Sequence, residues 1–207
     1  MSRGRFITLE GIEGAGKSSL QRALAAVLSA QGRVVCATRE PGGTPLAEQI
    51  RTLALGRRTD GMPATTELLL MFAARAAHVV QRIEPALLRG EWVLCDRFTD
   101  ATRAYQGAGR GIPAASIEAL AEVAHPGLKP DLTLLLDLAP QVGLQRARQR
   151  QEAGDRFEDE ALEFFARVRT GYLELAQREP QRFRVLDATL PPDALRELAL
   201  RQLEAAF

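Results

Sequence analysis

The sequence predicts an α/β fold in which a parallel β-sheet is covered by helices on both faces. Short apolar segments alternate along the chain with longer segments of helical periodicity, and this alternation is typical of parallel sheets. The short segments are almost wholly apolar, as expected for strands buried on both faces. With 207 residues and 46% hydrophobic content, we expect a single domain over residues 1–207.

Five strands and seven helices are predicted. The strands are expected at 6–10, 33–38, 92–96, 132–137 and 183–187, and the helices at 17–31, 45–55, 64–88, 113–125, 139–150, 158–178 and 191–205. Gly32 follows the first helix and Pro113 opens the fourth, which supports these bounds. Asp137 is expected to cap the helix that follows the fourth strand.

Composition and charge restrict the possible partners. The formal net charge is +1, which gives no indication of a nucleic acid or a membrane as a partner. Cys36 and Cys95 lie in apolar segments, where buried, reduced thiols are expected. The amino-terminal segment lacks the apolar stretch of a secretory signal, and the apolar run at 132–139 is too short to cross a bilayer. We therefore expect a soluble cytoplasmic protein.

The segment GIEGAGKS, which begins at Gly11, connects the first strand to the first helix. Its spacing, Gly-x4-Gly-Lys-Ser, is the signature of a loop whose backbone N–H groups surround phosphates at a helix N-terminus. Gly11, Gly14 and Gly16 permit close approach of the backbone. Lys17 is expected to reach the outer phosphates, and Ser18 is expected to offer its hydroxyl to Mg²⁺.

The loop alone leaves the reaction open, since GTPases, motor ATPases and small-molecule kinases share it. No Asn-Lys-x-Asp tetrapeptide for reading guanine is present in the sequence, and the chain is short for a mechanical ATPase. Asp96 and Asp137 both end predicted strands, at the edge where open parallel sheets bind ligands. Asp96 precedes Arg97, and a Mg²⁺-organising carboxylate beside a phosphate-binding guanidinium suits phosphoryl transfer. A structural ion pair is the alternative for these two residues.

A second candidate site centres on the long third helix. This helix is apolar on nearly every side around Arg75, and a buried arginine needs an anion or a polar ligand. Phe72 lies on the same helical face, and a ring beside a guanidinium fits a flat base with carbonyl groups. A core phenylalanine with an internal salt bridge is the alternative. His78 is expected to be a hydrogen-bonded core residue, whereas Tyr105 and Gln106 add a ring and a base-reading carboxamide.

Several segments resemble bacterial thymidylate kinases, in order and over nearly the whole chain: TREPGGT, MFAAR, DRF, AYQGAGRGI and LKPDLTLLLD. The resemblance implies transfer of the γ-phosphate of ATP to dTMP with Mg²⁺, giving dTDP and ADP. It also implies a P-loop kinase three-layer fold with a five-stranded parallel sheet flanked by helices. A short arginine-rich lid at about 148–158 and a homodimer belong to the same expectation.

The resemblance assigns roles residue by residue. Phe72 is expected to stack on thymine, with Met71 as the alternative because many relatives place the ring four residues before the arginine. Arg75 and Gln106 are expected to bind the base edge, Arg97 the dTMP phosphate, and Tyr105 to crowd the sugar. The complete dTMP site is Glu40, Pro41, Arg51, Met71, Phe72, Arg75, Arg97, Thr102, Tyr105 and Gln106. The ATP site is Gly11, Ile12, Glu13, Gly14, Ala15, Gly16, Lys17, Ser18, Ser19, Arg148, Asp187 and Ala188.

Glu13 is unexpected in a loop that binds a triphosphate. Phosphoryl transfer needs positive charge, and no basic residue lies between Gly11 and Gly16. The lid therefore has to supply it, from Arg150 first and Arg156 second, while Glu13 faces the acceptor or the lid. The expected catalytic set is Glu13, Lys17, Asp96, Arg97, Arg150 and Arg156, and Ser18 and Asp96 are expected to hold Mg²⁺, partly through water.

The sequence is also compatible with two other functions. One is a kinase for another nucleoside monophosphate, with uridylate or deoxyuridylate nearest, because the methyl group of thymine discriminates weakly. The other is a regulatory or scaffold protein that binds nucleotides without turnover. The presence of Lys17, Ser18, Asp96 and Arg97 together argues against the second, since a pure binder does not need all four.

Overall fold

Five parallel strands form one sheet in the computed structural model, which describes residues 3–149 and 156–207. They are β1 (Phe6–Glu10), β2 (Val35–Arg39), β3 (Trp92–Asp96), β4 (Leu132–Asp137) and β5 (Phe183–Asp187), in the order β2-β3-β1-β4-β5. The predicted strands are confirmed, and the only shift is in β2, which begins two residues later than expected. Every residue of β1 is buried, as in a sheet covered on both faces.

Helices flank this sheet. They are α1 (Lys17–Ala30), α2 (Pro45–Leu55), α3 (Ala64–His78), α4 (Glu84–Leu88), α5 (Thr99–Thr102), α6 (Ala114–Ala124), α7 (Pro140–Arg148), α8 (Leu162–Arg178) and α9 (Pro192–Ala206). A π-helical segment, Val79–Ile83, joins α3 to α4, a second one, Arg103–Gly109, extends α5, and a 3₁₀ turn, Arg156–Asp159, precedes α8. In the described ranges, no helix is both long enough and apolar enough to span a membrane.

The core lies on both faces of the sheet. Along β3, Leu94 packs into the larger apolar cluster, whereas Val93 and Cys95 on either side of it pack into a second cluster. This alternation follows from the two-residue period of a strand. Both cysteines are free thiols; Cys95 is buried as predicted, and Cys36 is partly exposed.

The sequence did not predict the helical segment formed by α5 and its π-helical extension. The stretch has the composition of a loop, because it contains Gly107 and Gly109 and is followed by Gly111. In the structure its small residues allow close packing on α8: a Cβ on Gly171 would lie 2.6 Å from the Cβ of Ala108. Tertiary packing therefore overrides local propensity here.

The expected cap at Asp137 is wrong. No side chain caps α7, whose N-cap residue is Ala139. The Asp137 carboxylate instead accepts two hydrogen bonds from Arg169 of α8, at 2.7 and 2.8 Å. A bidentate guanidinium pair is stronger than a single neutral cap, and it ties α8 to the end of β4.

Candidate active site

The phosphate loop lies between the end of β1 and the start of α1. Gly14 and Gly16 have φ values of 74° and 92°, in the left-handed region that glycine adopts readily. A Cβ on Gly14 would lie 2.1 Å from the carbonyl oxygen of Gly143, so α7 packs directly on the loop. A Cβ on Gly16 would have nothing within 4 Å, which leaves open space before the N-terminus of α1. That space suits an anion bound by backbone N–H groups.

Lys17 is folded back over its own loop. Its Nζ donates to the carbonyl oxygens of Gly11, at 3.0 Å, and Ile12, at 2.8 Å. Burial, together with the charge of Arg97, lowers the pKa of Lys17 from its usual 10.5 to about 8. A phosphate beside Nζ would stabilise the charged ammonium, so the lysine is placed to respond to an anion.

Ser18 and Asp96 meet where α1 begins and β3 ends. The Ser18 hydroxyl donates to Oδ2 of Asp96 at 2.6 Å. The parallel pairing of Leu9 with Asp96 puts the end of β3 beside the phosphate loop that follows β1. A hydroxyl and a carboxylate are the hard oxygen donors that Mg²⁺ takes, and this ion keeps several waters and substrate oxygens as its other ligands. The donor set therefore fits Mg²⁺.

Arg97 connects the two halves of the site. Its backbone has φ 71°, which is uncommon for a residue other than glycine and is found where function constrains the chain. The guanidinium donates to the Gly11 carbonyl at 2.9 Å, to Glu13 at 2.8 Å and to the Tyr105 hydroxyl at 3.0 Å. Tyr105 in turn donates to the other Glu13 oxygen at 2.6 Å. Glu13 thus pairs with Arg97 and Tyr105.

Arg75 is buried between α3 and the end of β3. Its Nε donates to Glu40 at 2.7 Å, and its Nη2 donates to the Phe98 carbonyl and the Thr102 hydroxyl at 3.0 and 3.1 Å. Burial acts to raise the pKa of Glu40, but Arg75 and His78 hold it below its usual value. Within the described residues, Nη1 of Arg75 is the one buried side-chain polar atom without a hydrogen-bond partner.

The neighbours of Arg75 follow the predictions in part. His78 is fully buried and hydrogen-bonds Glu40 and Thr38, as expected of a core histidine. Gln106 donates from Nε2 to the carboxylate of Glu67 at 2.7 Å, and its side chain makes no other hydrogen bond to a described residue. Oε1 of Gln106 is therefore available as an acceptor.

One cavity of about 400 Å³ brings most of the predicted residues together. Those that line it are Glu13, Gly14, Gly16, Lys17, Ser18, Ser19, Glu40, Pro41, Arg51, Met71, Arg75, Asp96, Arg97, Thr102, Tyr105 and Gln106. Those that do not are Gly11, Ile12, Ala15, Phe72, Arg148, Arg156, Asp187 and Ala188. Arg150 lies outside the described residues.

Met71, rather than Phe72, is the member of this pair that lines the cavity. Phe72 packs into an apolar cluster with Leu68, Ile117 and Ala121. Successive residues on a helix point about 100° apart, so the two side chains cannot share one face. The Phe72 ring lies beside Arg75, 4.9 Å from its guanidinium carbon, but the geometry favours Met71 as the apolar surface that a ligand would meet.

The described arginines in and next to the predicted lid lie in different surroundings. Arg146, which sequence reasoning missed, lines the cavity and donates to the Ala188 carbonyl at 2.9 Å. Arg148 is exposed. It follows Arg146 by two residues on the same helix, so the two side chains point in different directions. Arg156 donates to the Ala54 carbonyl at 2.6 Å and pairs with Glu67 at 2.7 Å. The Arg146–Ala188 contact connects the loop after β5 to a side chain that lines the cavity.

The phosphate loop and the buried residues Arg75 and Gln106 line the same cavity, an arrangement typical of P-loop kinases that act on nucleotides. The family model for thymidylate kinase matches residues 9–199. The chain therefore belongs to the thymidylate kinase family.

Similar proteins agree with this family. A thymidylate kinase of Alkalilimnicola ehrlichii is 55% identical over 94% of this chain and 90% of its own length. One from Pseudomonas syringae pv. tomato is 58% identical over 89% of this chain and 88% of its own length. The crystal structure of thymidylate kinase from Ehrlichia chaffeensis has a TM-score of 0.80 at 32% identity, and the match covers 98% of this chain and 99% of that one.

Proposed function

We propose that the protein transfers the γ-phosphate of ATP to the phosphate of dTMP, giving ADP and dTDP. Membership of the thymidylate kinase family supports this reaction. The observation that carries the base assignment is the pair formed by Arg75 and Gln106. Among the residues that the structure describes, Nη1 of Arg75 is a donor without a partner, and Oε1 of Gln106 is an acceptor without one. Thymine offers the complement, a carbonyl oxygen at C4 beside an N–H at N3.

The remaining roles in the dTMP site follow from the contacts. Met71 provides the apolar surface for the base. Arg97 binds the acceptor phosphate, and this contact replaces part of the Arg97 pairing with Glu13. Tyr105 fills the space beside the sugar. Glu40 acts through Arg75, whose guanidinium it holds at 2.7 Å. Arg97 directly follows β3, whose end lies beside the phosphate loop. An acceptor phosphate bound by Arg97 would therefore lie close to that loop.

On the ATP side, the loop and Lys17 bind the phosphates, and Arg146 with Ala188 borders the nucleotide. Ser18 and Asp96 would hold Mg²⁺, which when bound neutralises the charge that develops on the transferred group. The chain itself contributes position and charge: Lys17 of the phosphate loop and Arg97 at the end of β3 both line the cavity. Positioning and electrostatic stabilisation are what phosphoryl transfer requires.

A panel of acceptors tests the proposal. ADP release with ATP and Mg²⁺ should be fastest with dTMP, slower with dUMP and very slow with dCMP, AMP or GMP. Lys17→Ala provides the matched control, because it should abolish release with every acceptor. If AMP or dCMP is the best acceptor, the proposal is wrong. If no acceptor is phosphorylated although ATP binds, the protein is a nucleotide-binding regulator instead.

The homodimer and the cytoplasmic location stay predictions from the resemblance and the composition. Light scattering on the purified protein checks the first, with a mass twice that of one chain as the expected result. A monomer at working concentrations would contradict it.

A further inference from the structure

Glu67 is a buried carboxylate for which the proposed reaction has no direct use. It lies in the first turn of α3, its side chain has no exposed surface, and it does not line the cavity. A buried carboxylate is costly unless donors surround it. Its neighbours therefore indicate what it does.

Three donors converge on Glu67. Arg110 donates from Nη2 to Oε2 at 3.1 Å, and Nη2 of Arg156 lies 2.7 Å from the same oxygen. The third donor is Nε2 of Gln106, at 2.7 Å from Oε1. A carboxylate held between two guanidinium groups can only accept hydrogen bonds.

This acceptor-only neighbour determines which end of the Gln106 carboxamide faces the cavity. A glutamine side chain can present either its oxygen or its NH₂ group, and the two orientations read opposite base edges. One N–H of Nε2 is donated to Glu67, so the carboxamide is held in the orientation that offers Oε1 to a ligand as an acceptor. Reversing the amide would place oxygen against oxygen in a buried site, which is strongly unfavourable.

We propose that Glu67 is the positioning residue that makes the site specific for a base with an N3–H, by holding Gln106 with its oxygen toward the base. The inference rests on the proposed function. Cytosine carries an acceptor at N3 and an amino group at C4, so it would meet an acceptor at Gln106 and a donor at Arg75. Sites that hydrogen-bond a substrate group reject analogues far more strongly than apolar contacts do.

Glu67→Gln tests this role. The new carboxamide keeps its oxygen between Arg110 and Arg156, because those hydrogen bonds are charge-assisted. Its NH₂ group then faces Gln106, which has to turn its oxygen away from the cavity. In the full-length variant, kcat/KM for dTMP should fall and the dTMP-to-dCMP ratio of kcat/KM should fall by about tenfold or more. A purely structural role would lower both values and leave the ratio unchanged.

Glu160→Gln is the matched control. Glu160 pairs with Arg110 but makes no hydrogen bond to Gln106, so this variant should keep the wild-type ratio. If Glu67→Gln does not fold, Glu67→Asp takes its place, since it keeps the charge but withdraws the carboxylate from Nε2. An unchanged ratio in the folded variant overturns the role of Glu67. A wild-type protein that does not phosphorylate dTMP overturns the proposed function as well, so the two failures are distinguishable.

Discussion

The carboxylate of Glu13 lies 2.8 Å from Nη2 of Arg97, so the acidic residue of the phosphate loop is paired with the arginine proposed for the acceptor phosphate. The pair joins the loop after β1 to the end of β3. The pairing with Arg97 offsets the negative charge that Glu13 brings to a loop proposed to bind a triphosphate. Both side chains are mostly buried, which strengthens their interaction.

Arg97→Ala should lower kcat/KM for dTMP severely. The change removes a charge-assisted contact to the acceptor phosphate, and such a contact is worth on the order of 2–5 kcal/mol in a desolvated site. It also leaves the Glu13 carboxylate without its guanidinium partner. Steady-state kinetics with ATP and dTMP measures the loss. Arg97→Lys is the matched variant. Its kcat/KM for dTMP should lie between those of the wild type and Arg97→Ala, since lysine restores the charge but not the planar guanidinium. Unchanged dTMP kinetics in Arg97→Ala would contradict the role.

Variants of Tyr105 should distinguish two roles of this residue: exclusion of a ribose sugar by the ring, and hydrogen bonding by the hydroxyl. Its ring lines the cavity, and its hydroxyl joins Glu13 and Arg97. Tyr105→Ala should narrow the preference for dTMP over its ribonucleotide by about tenfold, because space opens for a 2′-hydroxyl.

Tyr105→Phe keeps the ring, so it should retain the sugar preference while lowering kcat/KM for both nucleotides. Competing the two acceptors in one reaction gives the ratio directly. If both variants keep the wild-type ratio, the ring only packs and does not select the sugar.

Glu10 should make stability depend on pH. Burial raises its pKa from 4.5 to about 8, and the charge of Asp100 acts in the same direction, although Arg97, the Tyr172 hydroxyl and the Phe98 N–H oppose the shift. The folded protein therefore holds a proton that the unfolded chain releases above about pH 4.5. The stabilising effect is complete below that pH and is lost as the pH rises through about 8.

Glu10→Gln should remove this dependence. Urea unfolding of wild type and variant at about pH 5 and about pH 8 gives four free energies of unfolding. Between the two pH values, the free energy of unfolding should decrease more in the wild type than in the variant, by on the order of 1–4 kcal/mol. Glu174→Gln, at an exposed position of α8, is the control and should follow the wild type. Parallel pH profiles for wild type and Glu10→Gln would contradict the prediction.

Much of the fold could be predicted from the sequence because its signals are local. The short apolar segments predict the bounds of every strand to within two residues. The loop from Gly11 to Ser18 is recognised from the spacing of its residues alone. The helical segment that begins at Thr99 could not be found that way, since Gly109 and Ala108 pack closely on α8, which is distant in sequence. Asp137 was assigned to the wrong partner for the same reason: Arg169 lies 32 residues away.

Within the candidate site, residue types were predictable but orientations were not. The sequence indicated Arg75 and Gln106, yet Glu67, which holds the Gln106 amide, had no signal beyond an acidic residue in the first turn of a helix. Likewise, only the rotation of α3 distinguishes Met71 from Phe72 at the cavity, and a shift of one residue in a motif does not reveal it.

The two lid arginines, Arg150 and Arg156, were predicted as first and second candidates for the same catalytic role. Arg150 lies outside the described residues, and its role stays a prediction. Arg156 does not line the cavity; it donates to the carbonyl of Ala54 and pairs with Glu67, which holds Gln106. These contacts favour a role for Arg156 in dTMP binding rather than in the transition state.

Kinetics on the two alanine variants should therefore diverge. Arg150→Ala should lower kcat by roughly 10²–10⁴-fold with little change in KM for dTMP, because an arginine that meets the moving phosphoryl group acts only in the transition state. Arg156→Ala should instead raise KM for dTMP, with a smaller effect on kcat, since it loosens the surroundings of Glu67 and Gln106. Arg178→Ala, at an exposed position of α8, is the control and should affect both constants least. A large loss of kcat at constant KM in Arg156→Ala would return the catalytic role to Arg156, and near-normal kcat in both variants would mean that the lid acts by excluding water.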